Sequence, residues 1–305
     1  MATGSPMDPT RRSGSTTIDS KMTPSTESAV ERLVRALDVP ATGEGTWEAL
    51  PTTSASGGGR LFGGLLMAQA LVVAGSAMDT QVVPGHVHAA FLSAGRQDRP
   101  VEYTAENVRD GRSVTLRCVR AFQCGREIAR VDVTCHAATD GGMDVSGPPA
   151  TARYSSPNET EHHPVFFHRD AVGEAFEFRE RRYEGPVPLE GPTVVDEPTR
   201  VTWVKARETL PDDACLHAAL LLYLSDFATA WGVGRTVPRR LAGIATTNHS
   251  VWFFRPVRVD YWNLIELRPA SVVGWRGLVN GSVHGRDGRH AMTLAQEVTM
   301  RPRPE

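Results

Sequence analysis

At 305 residues the chain has room for one large domain or two ordinary ones, and its 40 % hydrophobic content supplies a core. A net charge of −2 leaves no basic surplus for nucleic acid, and no apolar run approaches the length that spans a membrane. Cys118, Cys124, Cys135 and Cys215 form no C-x-x-C pair, so neither a zinc site nor a disulfide framework is indicated and a reducing, cytoplasmic compartment is expected. Residues 1–27 are rich in Ser, Thr, Pro and Gly without a signal peptide's apolar core, and read as a disordered tail. Ser28 to Leu37 then carries Ala29, Val30, Leu33, Val34 and Leu37 at helical spacing. A glycine-rich run, Gly57 to Gly64, leads into a strongly apolar helix predicted over Leu65 to Met78. Those glycines would let a ligand approach the helix N-terminus, where free N–H groups point outward, although a tight turn into a helix needs them equally.

From His86 to about Ala138 the pattern changes to strands. Val114, Leu116 and Cys118 alternate with Thr115 and Arg117, and Val131, Val133 and Cys135 alternate with Arg130, Asp132 and Thr134. That is the period of strands with one buried face. Arg109–Arg112 and Cys124–Arg126 mark turns between antiparallel neighbours. Gly141 to about Pro198 is rich in Pro, Gly, Glu and Arg and reads as a long linker; its His162, His163 and His168 lack a fixed ligand spacing and read as a solvated loop.

The second half opens with a strand over Val201 to Arg207 and an apolar helix over Leu216 to Trp231. Pro211, Asp212 and Asp213 stand before that helix, and Gly232 and Gly234 follow it. It is apolar all round, so it is buried, yet it contains Asp226. A carboxylate in such a place requires hydrogen-bond partners or a raised pKa. Strands follow over Ile244 to Pro256, Tyr261 to Leu267, Val272 to Val283 and His290 to Met300, with a turn at Arg286–Arg289. His86 and His249, Phe91 and Phe254, and Gly125 and Gly288 are each 163 positions apart, which suggests duplication of one unit. Each half therefore reads as a central helix on an antiparallel sheet, an α+β arrangement.

The motifs Leu61–Gly64 with Gln69–Leu71, Arg109–Gly111, Tyr223–Phe227, Ile244–Phe254 with Arg255 and Pro256, and Gln296 and Glu297 with Met300 and Arg301 resemble the acyl-CoA thioesterase II family over about residues 28–303. The resemblance implies a double hotdog: a first hotdog over 28–140, the linker over 141–198, a second hotdog over 199–303, and the two sheets joined edge to edge. It implies hydrolysis of acyl-CoA thioesters by direct water attack, with coenzyme A as part of the substrate and no metal or redox cofactor. The family's catalytic Asp, Thr or Ser, and Gln fall on Asp226, Thr246 and Gln296. Independently, Leu294, Gln296, Val298 and Met300 share the inward face of the last strand, so the amide there needs a buried partner. Gly63, Gly64, Leu65 and His88 form the expected substrate-binding set. Leu65 stands where the family commonly has Gln, making that turn more apolar. Asn248 stands where an Asp often precedes the His, removing a negative charge.

His88 and His249 invite a general-base reading, but a strand histidine hydrogen-bonded between helix and sheet is preferred for both. Ser225 lacks the strand–turn–helix context of a nucleophile and reads as a helix residue bonded to backbone. The expected partner is the acyl-CoA substrate, without nucleic acid or membrane and with a homo-oligomer allowed. Two alternatives stand beside hydrolysis. One is a hotdog enzyme of another reaction type, such as a hydratase or a biosynthetic enzyme on a polyketide or carrier-bound substrate. The other is a non-catalytic acyl-CoA-binding protein.

Overall fold

A computed structural model describes residues 1, 27–51, 59–78, 82–137, 143–145, 153–160, 174–180, 200–227, 233 and 241–303. Three helices and twelve strands make up the described fold. The helices are α1 (Ala29–Ala36), α2 (Gly63–Ser76) and α3 (Ala214–Ser225). The strands of the first half are β1 (Ala41–Gly43), β2 (Thr46–Ala49), β3 (Val82–Phe91), β4 (Val101–Asp110), β5 (Val114–Gln123) and β6 (Arg126–Ala137). Those of the second are β7 (Phe176–Glu180), β8 (Arg200–Ala206), β9 (Leu241–Phe253), β10 (Asn263–Val273), β11 (Arg276–His284) and β12 (His290–Pro302).

All twelve strands join one sheet in the order β1-β2-β4-β5-β6-β3-β9-β12-β11-β10-β8-β7, and every neighbouring pair is antiparallel. The halves meet at β3 and β9. His86 pairs Trp252 there and Ala89 pairs His249. With the repeat offset of 163, Trp252 is the counterpart of Ala89 and His249 the counterpart of His86. The junction therefore maps onto itself when the halves are exchanged, as in a two-fold interface, and each half loses an exposed edge to the other. This is a double hotdog fused into one continuous sheet.

One face of the sheet carries the helices. Val87, Ala89, Val131, Val133, Val251, Met292, Leu294 and Val298 point to it and are fully buried. Burying a side chain the size of Val, Leu or Met contributes about 1.5–3 kcal/mol. α1 is fixed at its start by a capping box between Ser28 and Glu31. Gln69 of α2 ties it to the core, donating to Ala36 O at 2.6 Å and accepting from Tyr103 Oη at 2.6 Å.

Several boundaries differ from the sequence reading. Gly63 and Gly64 form the first turn of α2 instead of preceding it. Asp213 caps α3 by accepting from the N–H groups of Cys215 and Leu216, and the helix ends at Ser225, so Asp226 is its C-terminal cap. The expected helix residues beyond Phe227, and Gly232 and Gly234, lie outside the described residues, as do the linker histidines and nearly all of the expected tail. The turn between β10 and β11 falls at Gly274 and Trp275, where Gly274 has φ +59°, inside the stretch read as one strand. A bulge between Pro269 and Ser271 had imitated a break. The stretch read as linker contains β7, whose Phe176 and Phe178 are buried as it pairs with β8. Part of that stretch also crosses the face opposite the helices, where Trp203 Nε1 donates to Ser155 O and Tyr154 Oη to Glu266.

α2 and α3 pack against each other so closely that glycine is required at the crossing. A Cβ on Gly64 would lie 2.4 Å from the carbonyl oxygen of Tyr223, a backbone atom with nowhere to go. A Cβ on Gly75, at the other end of α2, would meet nothing nearer than 3.7 Å. In urea denaturation Gly64→Ala should therefore cost about 1–3 kcal/mol through overpacking. Gly75→Ala should instead stabilise by roughly 0.5–1 kcal/mol through helix propensity.

Candidate active site

Asp226 sits where the C-terminus of α3 meets the N-terminus of α2. A carboxylate is disfavoured at the end of its own helix and favoured at the start of the other. α2 begins without a side-chain cap, since Phe62 occupies that position, and so has an N–H to offer. The N–H of Gly64 donates to Asp226 Oδ2 at 2.9 Å. On the other oxygen, Gln296 Nε2 donates to Oδ1 at 2.7 Å and the Thr246 hydroxyl points to it at 3.4 Å. The Gln296 amide also donates to Thr246 Oγ1 at 2.6 Å. Residues from α2, α3, β9 and β12 thus converge on one carboxylate that is 8 % exposed.

Alternation alone does not bring Thr246 here. Counting back by two from His249, which faces the helices, selects Thr247. The register slips instead: Asn248 pairs Glu297, Thr246 pairs Val298, and Thr247 is the extra residue of a bulge. Val298 is fully buried on the helix face, so its partner Thr246 points the same way. Thr247 bonds Glu297.

Burial pushes the Asp226 carboxyl up to about 6, against the pull of hydrogen bonds from Gly64, Gln296 and Thr246. His249 is fully buried and burial pushes it down to about 3, so it is neutral at physiological pH. Its Nε2 lies 2.9 Å from Ser225 Oγ, a bond between sheet and helix as expected.

The expected substrate-binding set divides. Gly63 lies at the site: a Cβ there would come within 2.8 Å of Asp226 Oδ2 and 2.9 Å of Phe91. Gly64 contributes its N–H to the carboxylate, so that donor is engaged with Asp226. Leu65 is 1 % exposed within the main core, where only an acyl chain entering the core could touch it. His88 lies apart from the other three. Its neighbours Val87 and Ala89 face the helices, which turns His88 to the opposite face, where Nδ1 bonds Ser250 Oγ across the junction at 2.7 Å. Its bond therefore links strand to strand, not sheet to helix. Asn248 also lies away from Asp226, donating to Glu297 at 2.7 Å, so the charge it lacks is not one of the site. The bond from Gly64 to the carboxylate was not foreseen; a glycine pair followed 162 residues later by an acid in the second apolar helix was the available signal.

The raised carboxyl has a consequence for stability. Between the ordinary value of 3.8 and about 6 the folded chain holds a proton that the unfolded chain has released. Stability from this group is therefore full below about pH 4 and lost as pH rises through 6. Asp226→Asn, which removes the buried charge, should gain up to roughly 3 kcal/mol at pH 8 and little near pH 4, read by chemical denaturation at both.

The family profiles match in chain order. That of the acyl-CoA thioesterase N-terminal domain covers residues 50–136 and that of the C-terminal domain residues 148–300. Acyl-coenzyme A thioesterase 8 of Mus musculus is 31 % identical over 269 residues, which is 81 % of this chain and 82 % of that protein. Acyl-CoA thioesterase 2 of Haemophilus influenzae (strain ATCC 51907 / DSM 11121 / KW20 / Rd) is 27 % identical over 256 residues, covering 79 % of this chain and 88 % of its own. Among solved structures, acyl-CoA thioesterase II TesB2 from Mycobacterium marinum aligns with a TM-score of 0.74 at 25 % identity, over 89 % of this chain and 98 % of that one. With matches of this extent in both halves, the chain belongs to the acyl-CoA thioesterase family.

Proposed function

We propose that Asp226, Thr246 and Gln296 hold and activate the water with which this chain hydrolyses acyl-CoA thioesters to free acid and coenzyme A. Family membership supports the reaction, and one observation carries the choice of residues: a buried carboxylate, its pKa pushed up to about 6, with three hydrogen-bond donors aimed at it. Oδ1 faces both Gln296 and Thr246, while Oδ2 accepts, among the described residues, from Gly64 alone, which leaves a lone pair of Oδ2 open to water. Oδ2 is therefore the atom that takes the proton. Water attacks the thioester carbonyl as its proton passes to Oδ2, and the new C–O bond forms. The oxyanion lies against the positive N-terminus of α2 at half-buried Gly63. The C–S bond then breaks, and the proton held by Asp226 goes to the departing thiolate of coenzyme A.

The division into a first hotdog over 28–140, a connecting stretch over 141–198 that carries β7, and a second hotdog over 199–303 belongs to the same reading. So do an acyl chain that reaches Leu65, action on acyl-CoA in the lipid metabolism of the cytoplasm, and self-association into a homo-oligomer.

Thiol release from a series of acyl-CoAs of increasing chain length tests the assignment. Asp226→Asn should lower kcat by about 10²–10⁴-fold with substrate binding little changed. Gln296→Ala and Thr246→Ala should each cost less, and their combination less than the product, because the groups act as a unit. kcat/KM of the parent should rise with pH to a plateau with a midpoint near 6, since the ionised carboxylate is the active form. Unchanged turnover in Asp226→Asn would show the carboxylate to be structural.

A further inference from the structure

Two buried polar atoms near Asp226 have no hydrogen-bond partner of good geometry among the described residues: Oε1 of Gln296 and Nδ1 of His249. They belong to directly paired residues of β12 and β9, and both side chains are fully buried on the helix face. A buried acceptor left without a donor costs about 1–3 kcal/mol, so two such atoms on cross-strand neighbours call for a hydrogen between them. The Gln296 amide nitrogen is already committed, 2.7 Å from Asp226 Oδ1 and 2.6 Å from Thr246 Oγ1. An ionised Asp226 can only accept, so the amide must present its N–H groups to the carboxylate and its oxygen to the ring.

We propose that His249 is a positioning residue: its Nδ1–H donates to Gln296 Oε1 and keeps the amide turned so that its N–H groups face Asp226 and Thr246. This rests on the reading of Asp226, Thr246 and Gln296 as the site. The other ring nitrogen then accepts. Ser225 Oγ donates to Leu222 O at 2.7 Å and lies 2.9 Å from His249 Nε2, so in this tautomer its hydrogen is shared between the carbonyl oxygen and Nε2. The result is a directed chain from the Ser225 hydroxyl through the imidazole and the Gln296 amide to the carboxylate. It starts on the last residue of α3 and ends on the next residue along. Gln296 is in contact with His249 strongly enough to affect its protonation, and burial keeps the ring neutral, so it can donate from one nitrogen while accepting on the other. A carboxamide with its oxygen toward Asp226 would set acceptor against acceptor. The imidazole prevents this without bringing a charge to the site.

The test pairs kinetics with spectroscopy on the full chain. Asparagine places its amide nitrogen near the position of imidazole Nδ1, whereas leucine fills the space without a donor. His249→Leu should lower kcat on the order of 10²-fold, the effect of a catalytic group displaced by about 1 Å, with KM little changed. His249→Asn should recover most of that loss. ¹⁵N spectra of histidine-labelled parent protein at pH 8, where Asp226 is ionised, should show one non-titrating ring in the Nδ1–H form that is absent from His249→Asn. An Nε2–H ring, or a His249→Leu variant as fast as the parent, would overturn the proposal, and the spectrum decides the matter even if the variants fold poorly. Gln296→Ala is assayed beside them. If it is slow while His249→Leu is fast, only the role of His249 fails; if it is itself fast, the site reading beneath both fails.

Discussion

The structure depends on the contact between Asp226 and the N–H of Gly64. Two apolar helices must lie side by side on one face of a sheet, and their ends leave opposite partial charges. Placing the start of α2 against the end of α3 brings an unsatisfied N–H to a carboxylate that its own helix end disfavours. The approach is close enough that Gly64 cannot carry a side chain, because the Tyr223 carbonyl occupies that space. The feature that lets the helices pack therefore also builds the candidate site, and a glycine pair that could have marked a simple turn is part of the packing.

Among the described residues this candidate site occurs once, although the sheet is duplicated. The β3–β9 junction is symmetric in register, so the fold would permit a second carboxylate cluster related by the same two-fold. The repeat offset places Val133 where the second half has Gln296, and Val133 is fully buried. A valine offers neither donor nor acceptor, so a carboxylate opposite it would be buried without compensation. In place of a second acid, α2 supplies the glycine start that the single acid needs. The first half provides a helix terminus and the second provides the side chains.

The alternating strands, the two apolar helices and the 163-residue offset were legible because each rests on a period that burial enforces over many residues. Asp226, Thr246 and Gln296 could be named from the resemblance, and Gln296 also from its inward phase in β12. What escaped depended on single residues that break a period. The bulge at Thr247 turns Thr246 toward the helices, and strict alternation points to the wrong threonine. His88 differs from His249 only by strand phase, yet one faces away from the helices and the other lies among the polar groups next to Asp226. β7 was hidden in a polar, proline-rich stretch, although Phe176-Glu-Phe-Arg-Glu180 alternates as a strand should. The β10–β11 turn was displaced by a proline bulge that imitates a break.

The energetics bear on whether the buried acid is structural or functional. A structural acid normally strengthens a fold by ionising against a cation, which depresses its pKa, as Arg258 does for Asp260. Asp226 behaves the opposite way: no cation pairs with it among the described residues, its partners are an amide, a hydroxyl and one backbone N–H, and burial outweighs them all. Those donors would serve a neutral side-chain oxygen at less cost. A group that is costly to ionise, yet is surrounded by donors that favour its ionised form, is poised between two protonation states near pH 6. Such poise adds nothing to stability, but a base that must take a proton from water and return it to a thiolate in the same turnover requires it.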